Sequence, residues 1–218
     1  MSELRFRACC AQDADAAVPL IYSSGPAAFN YVFCDRSEQQ ALDFLHHAFV
    51  RGHSEFGYRQ HTAAILDGKL VAVGALRNST QNLPFTLAAF RDIVRFYSPL
   101  AITRVVAHGL RTEMVIRPPK AGAAVLYHLG VAEEYRGRGI GGALIAELVQ
   151  TARQQNFPAA ALDVAETNPR AKDLYQRLGF TAQRTTKSTL QSSFGRVVDH
   201  TYMELPLRLE IEESTNQQ

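Results

Sequence analysis

The feature that most constrains this chain is an apolar run, Ala123 to Val131, followed by Arg136-Gly-Arg-Gly139-Ile-Gly141-Gly142 and then by Ile140, Leu144, Ile145, Leu148, Val149 and Ala152 at helical spacing. A near-continuous apolar run suits a central strand covered on both faces, and the spacing that follows suits a helix packed by one face. The glycines between them let the backbone turn tightly and approach a ligand closely. Unpaired N–H groups at the helix start, together with the helix dipole, favour an anion there. Arg136 and Arg138 add fixed positive charge. Together these parts make a plausible seat for a diphosphate, although glycines also cluster at such turns for steric reasons alone.

Downstream, Ala159 to Ala165 reads as a second buried strand, and Asn168-Pro169 starts a helix carrying Ala171, Leu174, Tyr175 and Leu178 on one side. Gly179 ends that helix and Phe180 packs back across its end. Two strands follow, near Thr181 to Thr189 and Val197 to Leu205, with Ser192 to Gly195 turning between them.

Upstream, Leu4 to Ala8 alternates like a half-buried strand, and a helix runs from Asp13 to about Tyr22. Ser24-Gly25-Pro26 breaks it. A second helix is expected from Ser37, with Ser37 and Gln40 as a capping box and Gly52 at its end. His61 to Leu66 and Lys69 to Leu76 flank Asp67-Gly68, the turn of a type I′ hairpin.

Between Asn78 and Lys120, Leu87, Phe90, Ile93, Val94 and Tyr97 mark one helix, and Ile102, Val105, Val106 and Leu110 mark another after Pro99. This stretch is locally basic, with Arg91, Arg95, Arg104, Arg111, Arg117 and Lys120 against Asp92 and Glu113. Such charges suit a solvated helical face or a wall facing an anionic ligand. The expected organisation is one domain over residues 1–209 with a helical insertion at about 78–120, and a flexible tail at 210–218.

Composition narrows the classes. With 218 residues, 46% hydrophobic and 20% charged, the chain is globular, and a net charge of +2 gives no general warrant for nucleic acid or an anionic membrane as partner. Cys9, Cys10 and Cys34 contain no Cys-x-x-Cys pair, which suits free thiols in a reducing compartment. No apolar leader or span is visible, so a soluble cytoplasmic protein is expected. No His/Cys/Asp/Glu cluster has metal-ligand spacing, and no Cys or Ser lies in a nucleophile motif.

Gly137-x-Gly139-x-x-Gly142 also matches a dinucleotide fingerprint, with Asp163 about 20 residues on. Context argues against a nicotinamide enzyme. Ala132 to Arg136 separate the strand from the first glycine, and a helix-rich half and a hairpin precede it.

A second fit is closer. Arg136-x-x-Gly139-x-Gly141 after Tyr127-His-Leu-Gly-Val131, followed by Asn168-Pro-Arg-Ala171-Lys-Asp-Leu174-Tyr175-Gln-Arg-Leu-Gly179-Phe180, resembles the acyl-CoA-binding core of the GNAT family of N-acetyltransferases. The resemblance covers Ala123 to Phe180 in detail. It implies an α/β fold with a mixed, mostly antiparallel sheet whose central parallel strand pair is flanked by helices. It also implies acetyl-CoA as donor, a small-molecule or peptide amine as acceptor, direct attack in a ternary complex, and, at family level, a possible homodimer.

Carried onto these residues, the resemblance gives Arg136, Gly137, Arg138, Gly139, Ile140, Gly141 and Gly142 to the pyrophosphate. It implies a bulged strand splayed from its parallel neighbour, with Leu129, Gly130, Val131 and Ala165 bordering the gap. The Val131 N–H would donate to the thioester carbonyl, Asn168 and Ala171 would contact the CoA arm, and Tyr175 would protonate the departing thiolate. Asn168 also reads as an ordinary cap, and Tyr175 as ordinary core.

For the base, histone-type relatives carry a glutamate where this chain has Val125. Tyr127, on the same face by strand alternation, is placed to order a water instead, whereas His128 is expected on the opposite face as a core histidine. Glu113, Glu133 and Glu134 are candidates by charge alone. A basic insertion points weakly to an acceptor amine bearing a carboxylate or phosphate. A non-catalytic acyl-CoA-binding module remains the alternative, with a nicotinamide oxidoreductase more remote.

Overall fold

A computed structural model describes residues 3–207, so the expected tail at 210–218 lies outside the described residues. The strands are β1 (Leu4–Ala8), β2 (His61–Leu66), β3 (Lys69–Arg77), β4 (Ala123–Val131), β5 (Ala159–Ala165), β6 (Thr181–Thr186) and β7 (His200–Pro206). The helices are α1 (Ala14–Ser23), α2 (Pro26–Phe33), α3 (Gln39–Arg51), α4 (Asn82–Phe96), α5 (Pro99–Thr112), α6 (Ile140–Gln154) and α7 (Pro169–Arg177). One sheet runs β1-β2-β3-β4-β5-β7-β6, and β4–β5 is its parallel pair. The α1 to α5 side holds one apolar core, and α6 and α7 close a second core on the other face. This is the mixed α/β architecture expected from the sequence.

Local chemistry explains the joints. Asp67 at φ 50° and Gly68 at φ 76° supply the two left-handed residues of the β2–β3 turn. Gly52 ends α3 at φ 76°, its N–H donating to the Ala48 and Phe49 carbonyls.

Some boundaries differ. Gly25-Pro26 ends one helix and also begins another, because a proline at the first helical position sacrifices no hydrogen bond. The expected capping box at Ser37 does not form. The Gln40 side-chain oxygen reaches past Ser37 to accept from the Asp35 and Arg36 N–H groups at 2.8 and 3.0 Å. Residues 187–199 leave the ladder, which shortens both C-terminal strands; the Asp199 carboxylate accepts from the Ser188 N–H at 2.9 Å there.

Between β3 and β4 lie α4 and α5, and α4 buries only part of its apolar surface. Ile93 and Tyr97 are inside, and the Tyr97 hydroxyl donates to the Phe33 carbonyl at 2.6 Å. Leu83, Leu87, Phe90 and Val94, spaced to lie along one side, remain 46–69% exposed.

Asp163 stands opposite Tyr202 on β5. Burial holds its carboxyl up at about 6, against the pull of Arg184, Arg77 and Arg117. A carboxyl raised on folding adds stability at low pH that is lost as pH rises through about 6. The Asp163→Asn variant is therefore expected to match the parent near pH 4 and to exceed it by about 1–2 kcal/mol at pH 8, a figure discounted for partial exposure. Urea denaturation at the two pH values measures the difference.

Candidate active site

The parallel ladder between β4 and β5 is short. Ala123, Ala124 and Val125 pair with Ala159, Ala160 and Ala161, and beyond them the strands diverge. On its other side β4 carries a bulge, where His128 and Leu129 together oppose Gly74 between the Val73–Gly130 and Ala75–Tyr127 pairs. His128 is the irregular residue, at φ 54°.

The register past the bulge decides where backbone groups point. Ala132 N–H donates to the Val71 carbonyl at 2.9 Å, so the neighbouring Val131–Ala72 pair is of the kind that exchanges no hydrogen bonds of its own. The Val131 N–H and C=O therefore face away from β3, toward the side where the β5 ladder has ended. The Val131 carbonyl accepts from the Arg136 guanidinium at 3.0 Å.

Gly130 answers to a different need. A side chain there would lie 2.2 Å from the Leu20 carbonyl oxygen, because the α1 backbone rests directly on the strand. Leu129 and Val131 turn to the α6 side and pack on that core.

After β4, one turn of 3-10 helix at Glu133–Tyr135 leads into the glycines. Gly137 and Gly139 take φ values of 77° and 81°, conformations that side chains rarely adopt. The first helical bond of α6 runs from the Ala143 N–H to the Gly139 carbonyl at 3.0 Å. The preceding amides, of Ile140, Gly141 and Gly142, have no helical carbonyl one turn earlier, and among the described residues no side chain caps them. Ile140 buries its side chain, so only its N–H faces the turn. The Arg138 guanidinium lies 5.3 Å over the Tyr135 ring.

On α7, Asn168 does cap the helix, its Oδ1 accepting from the Ala171 N–H at 3.1 Å. That bond occupies the Ala171 amide and leaves the Asn168 Nδ2 without a partner among the described residues. Tyr175 is 9% exposed, edge-on to Phe180 at 6.1 Å, and its hydroxyl has no hydrogen-bond partner among the described residues. Burial pushes the phenol up to about 12, so it keeps its proton at neutral pH.

One expectation fails at the bulge. Tyr127 and His128 do not point to opposite faces; their rings stand 4.6 Å apart, both on the α1 to α3 side, while Leu126 and Leu129 face α6. An extra residue in a strand breaks the two-residue alternation on which the expectation rested. The Tyr127 hydroxyl donates to the Glu55 carbonyl at 3.2 Å, and Arg77, paired with Glu55, lies over its ring. That bond uses the proton with which Tyr127 would order a water.

His128 meets His61, Nδ1 to Nε2 at 3.1 Å, in a nest with Phe29 and Phe56. Sequence reasoning missed this pair. Sixty-seven positions separate the two residues, and the resemblance implies a bulge on this strand without saying that it falls at His128 and turns that residue inward. Glu133 and Glu134 are exposed in the 3-10 turn, and Glu113 follows α5.

The basic residues of the insertion do not form one wall. Arg91 and Arg95 line a hollow of about 270 Å³ with Arg51 and Asp92, whereas Arg104 lies 3.0 Å from Asp35. Among the described residues no group of three or more His, Cys, Asp or Glu could hold a metal ion, and no helix is long and apolar enough to cross a membrane.

A sheet that parts beside a bulged strand, with a glycine turn feeding a helix at the parting, is the arrangement of a GNAT-type fold. The model of the acetyltransferase (GNAT) family matches residues 27–180, and the chain belongs to that family. It is 42% identical over 77 residues to human N-acetyltransferase 8B, a stretch covering 34% of this chain and 31% of that protein. It is 40% identical over 99 residues to the 5-NmdU N-acetyltransferase of Pseudomonas phage PaMx11, covering 42% of this chain and 69% of the relative. In fold it is similar to an N-acetyltransferase from Staphylococcus aureus Mu50, with a TM-score of 0.71 at 15% identity, over 92% of this chain and 100% of that one.

Proposed function

We propose that the protein transfers an acetyl group from acetyl-CoA to a primary amine of a small molecule or peptide, by direct attack within a ternary complex. The observation that carries this reading is the parting of β4 from β5, which leaves the Val131 N–H aimed into a gap of the sheet next to the start of α6, where a Cβ at Gly141 would lie 3.4 Å from Val131 Cγ2. An extended pantetheine arm fits such a gap as an added strand, with its diphosphate on the helix N-terminus.

In this reading the amides from Gly137 to Gly142 hold the diphosphate, and Arg136 and Arg138 neutralise it. Arg136 has a second task, since it also fixes the Val131 carbonyl at the edge of the gap. Leu129, Gly130 and Val131 border the arm on one side and Ala165 on the other. The Val131 N–H donates to the thioester oxygen, where negative charge grows as the amine attacks, a contribution of about 3 kcal/mol for such a donor. Tyr175, protonated at neutral pH, supplies the proton to the leaving sulfur. Asn168 contacts the arm through its Nδ2, its oxygen being committed to the cap. Ala171 contributes its methyl group rather than its amide.

The Gly142→Asp variant separates this reading from a purely steric role for the glycines. Gly142 lies at the third position of α6, with Leu174 Cδ1 4.0 Å from where a Cβ would sit. A carboxylate in the first turn of a helix stabilises it by about 0.3–1 kcal/mol, yet it would repel a diphosphate bound there. The expected result is an unchanged or slightly raised melting temperature with acetyl-CoA affinity lowered at least tenfold by calorimetry. Parallel titration with NADH is expected to show no heat of binding. Undiminished acetyl-CoA affinity in the variant would remove the helix start from the donor site.

A further inference from the structure

The two histidines at the bulge form an ordered chain whose proton positions follow from the acceptors present. His61 Nδ1 lies 2.8 Å from the Gly57 carbonyl, and a carbonyl only accepts, so Nδ1 of His61 carries the proton. That carbonyl is fixed, because the Gly57 backbone packs so closely on Gly52 that a side chain at Gly57 would lie 2.4 Å from the Gly52 carbonyl carbon. With Nδ1 protonated, the Nε2 of neutral His61 is an acceptor. His128 Nδ1, 3.1 Å away, must then be the donor. The lone pair of the pair is thereby delivered to His128 Nε2.

Among the described residues that atom has no hydrogen-bond partner, and unlike the Nε2 of His47 it is not completely sealed by its surroundings. His128 precedes Val131 by three residues on β4, on the stretch that has already left β5. Around its ring stand His61 from β2, Tyr127 of β4 and Arg77 of β3 with its partner Glu55. Phe29 of α2 and Phe56 bring no charge. Burial, then His61, then Arg77 hold the imidazole below its usual range, and burial holds His61 at about 4, so both rings are neutral at pH 7.

We propose that His128 Nε2 is the general base that deprotonates the attacking amine, with His61 as the positioning residue that fixes its tautomer. This rests on the acetyl-transfer reading above. An ammonium proton passes to Nε2, the nitrogen then forms its bond to the carbonyl carbon, and the carbon–sulfur bond breaks. Sulfur leaves as thiolate and takes a proton from Tyr175. The second proton shed by the nitrogen restores the phenol, and the proton on His128 returns to solvent. A charge gained at His128 is shared along the Nδ1–H to His61 bond and, through it, with the Gly57 carbonyl.

Nitrogen-15 spectra of the imidazoles in the parent protein test the tautomer chain without any acceptor. They are expected to show both rings protonated at Nδ1 and bare at Nε2 at pH 7; a His128 protonated at Nε2 would overturn the proposal. Turnover is then followed with benzylamine and glycinamide as probe amines. His128→Gln is expected to lower the rate about 30- to 100-fold at pH 7, with acetyl-CoA affinity retained. Its rate should climb about tenfold per pH unit toward the pKa of the amine, where the parent has already levelled off. His61→Phe is expected to lower the rate about tenfold and to shift the pH limb. A His128→Gln protein with the parent's rate and profile would refute the base role. A parent protein that acetylates neither amine and does not bind acetyl-CoA counts against the acetyl-transfer reading, and the nitrogen spectra still decide the tautomer.

Discussion

The Tyr175→Phe protein is expected to transfer acetyl groups about 100-fold more slowly than the parent, while binding acetyl-CoA within a factor of two and melting at the same temperature. The hydroxyl makes no hydrogen bond among the described residues, and the ring is anchored through Phe180 and the α6 core, so its removal breaks no packing. What is lost is a proton held ready at neutral pH, and general-acid catalysis of this kind contributes about 10²- to 10⁴-fold. Rates from thiol release, read beside calorimetric affinities, give the two quantities separately. A variant with the parent's rate would return Tyr175 to the role of a core residue.

Gly130→Ala is expected to be the most disruptive single methyl group in the protein. Its Cβ would lie 2.2 Å from the Leu20 carbonyl oxygen and 2.7 Å from the Leu20 carbonyl carbon, both backbone atoms that cannot rotate aside. Relief requires α1 to lift off β4, at a cost of about 3 kcal/mol or more. Gly139→Ala is the control. Nothing lies within 4 Å of its Cβ, and its φ of 81° alone predicts a loss of about 1–2 kcal/mol. Urea midpoints compare the two. If Gly130→Ala were as stable as the parent and lost only acetyl-CoA affinity, the close approach of α1 would not be what selects glycine there.

The contrast between these glycines shows what sequence reading reached. The run from Ala123 to Phe180 was legible because each element announces itself locally: apolar runs make β4 and β5, one-sided spacing makes α6, and Asn168-Pro169 starts α7. The left-handed glycines at 137 and 139 belong to that local pattern. Gly130 sits among residues read as bordering the donor, yet its constraint comes from Leu20, over a hundred positions away.

The bulge itself follows from the family resemblance, but its position at His128 escaped for a related reason. Nothing in Tyr127-His-Leu-Gly forces a left-handed residue there; pairing with β3 does. Missing it reversed the facing of His128 and hid the contact with His61. Likewise the start of α2 is hidden in the sequence because Pro26 marks the end of one helix and the beginning of the next. The exposed residues of α4 carry the same apolar chemistry as Ile93, so periodicity alone did not sort them.

Three rungs join the two halves of the sheet, at Val125–Ala161 and the two pairs before it. They act as the pivot of a pair of scissors whose blades are the rest of β4 and β5. From Val125 to Val131 the blade is about 20 Å long, so about three degrees of rotation at the pivot changes the width at its tip by about 1 Å. In the acyl-transfer reading proposed above, the packing of small alanines at the pivot would set the width offered to an acyl group, without any change in the residues that line the gap.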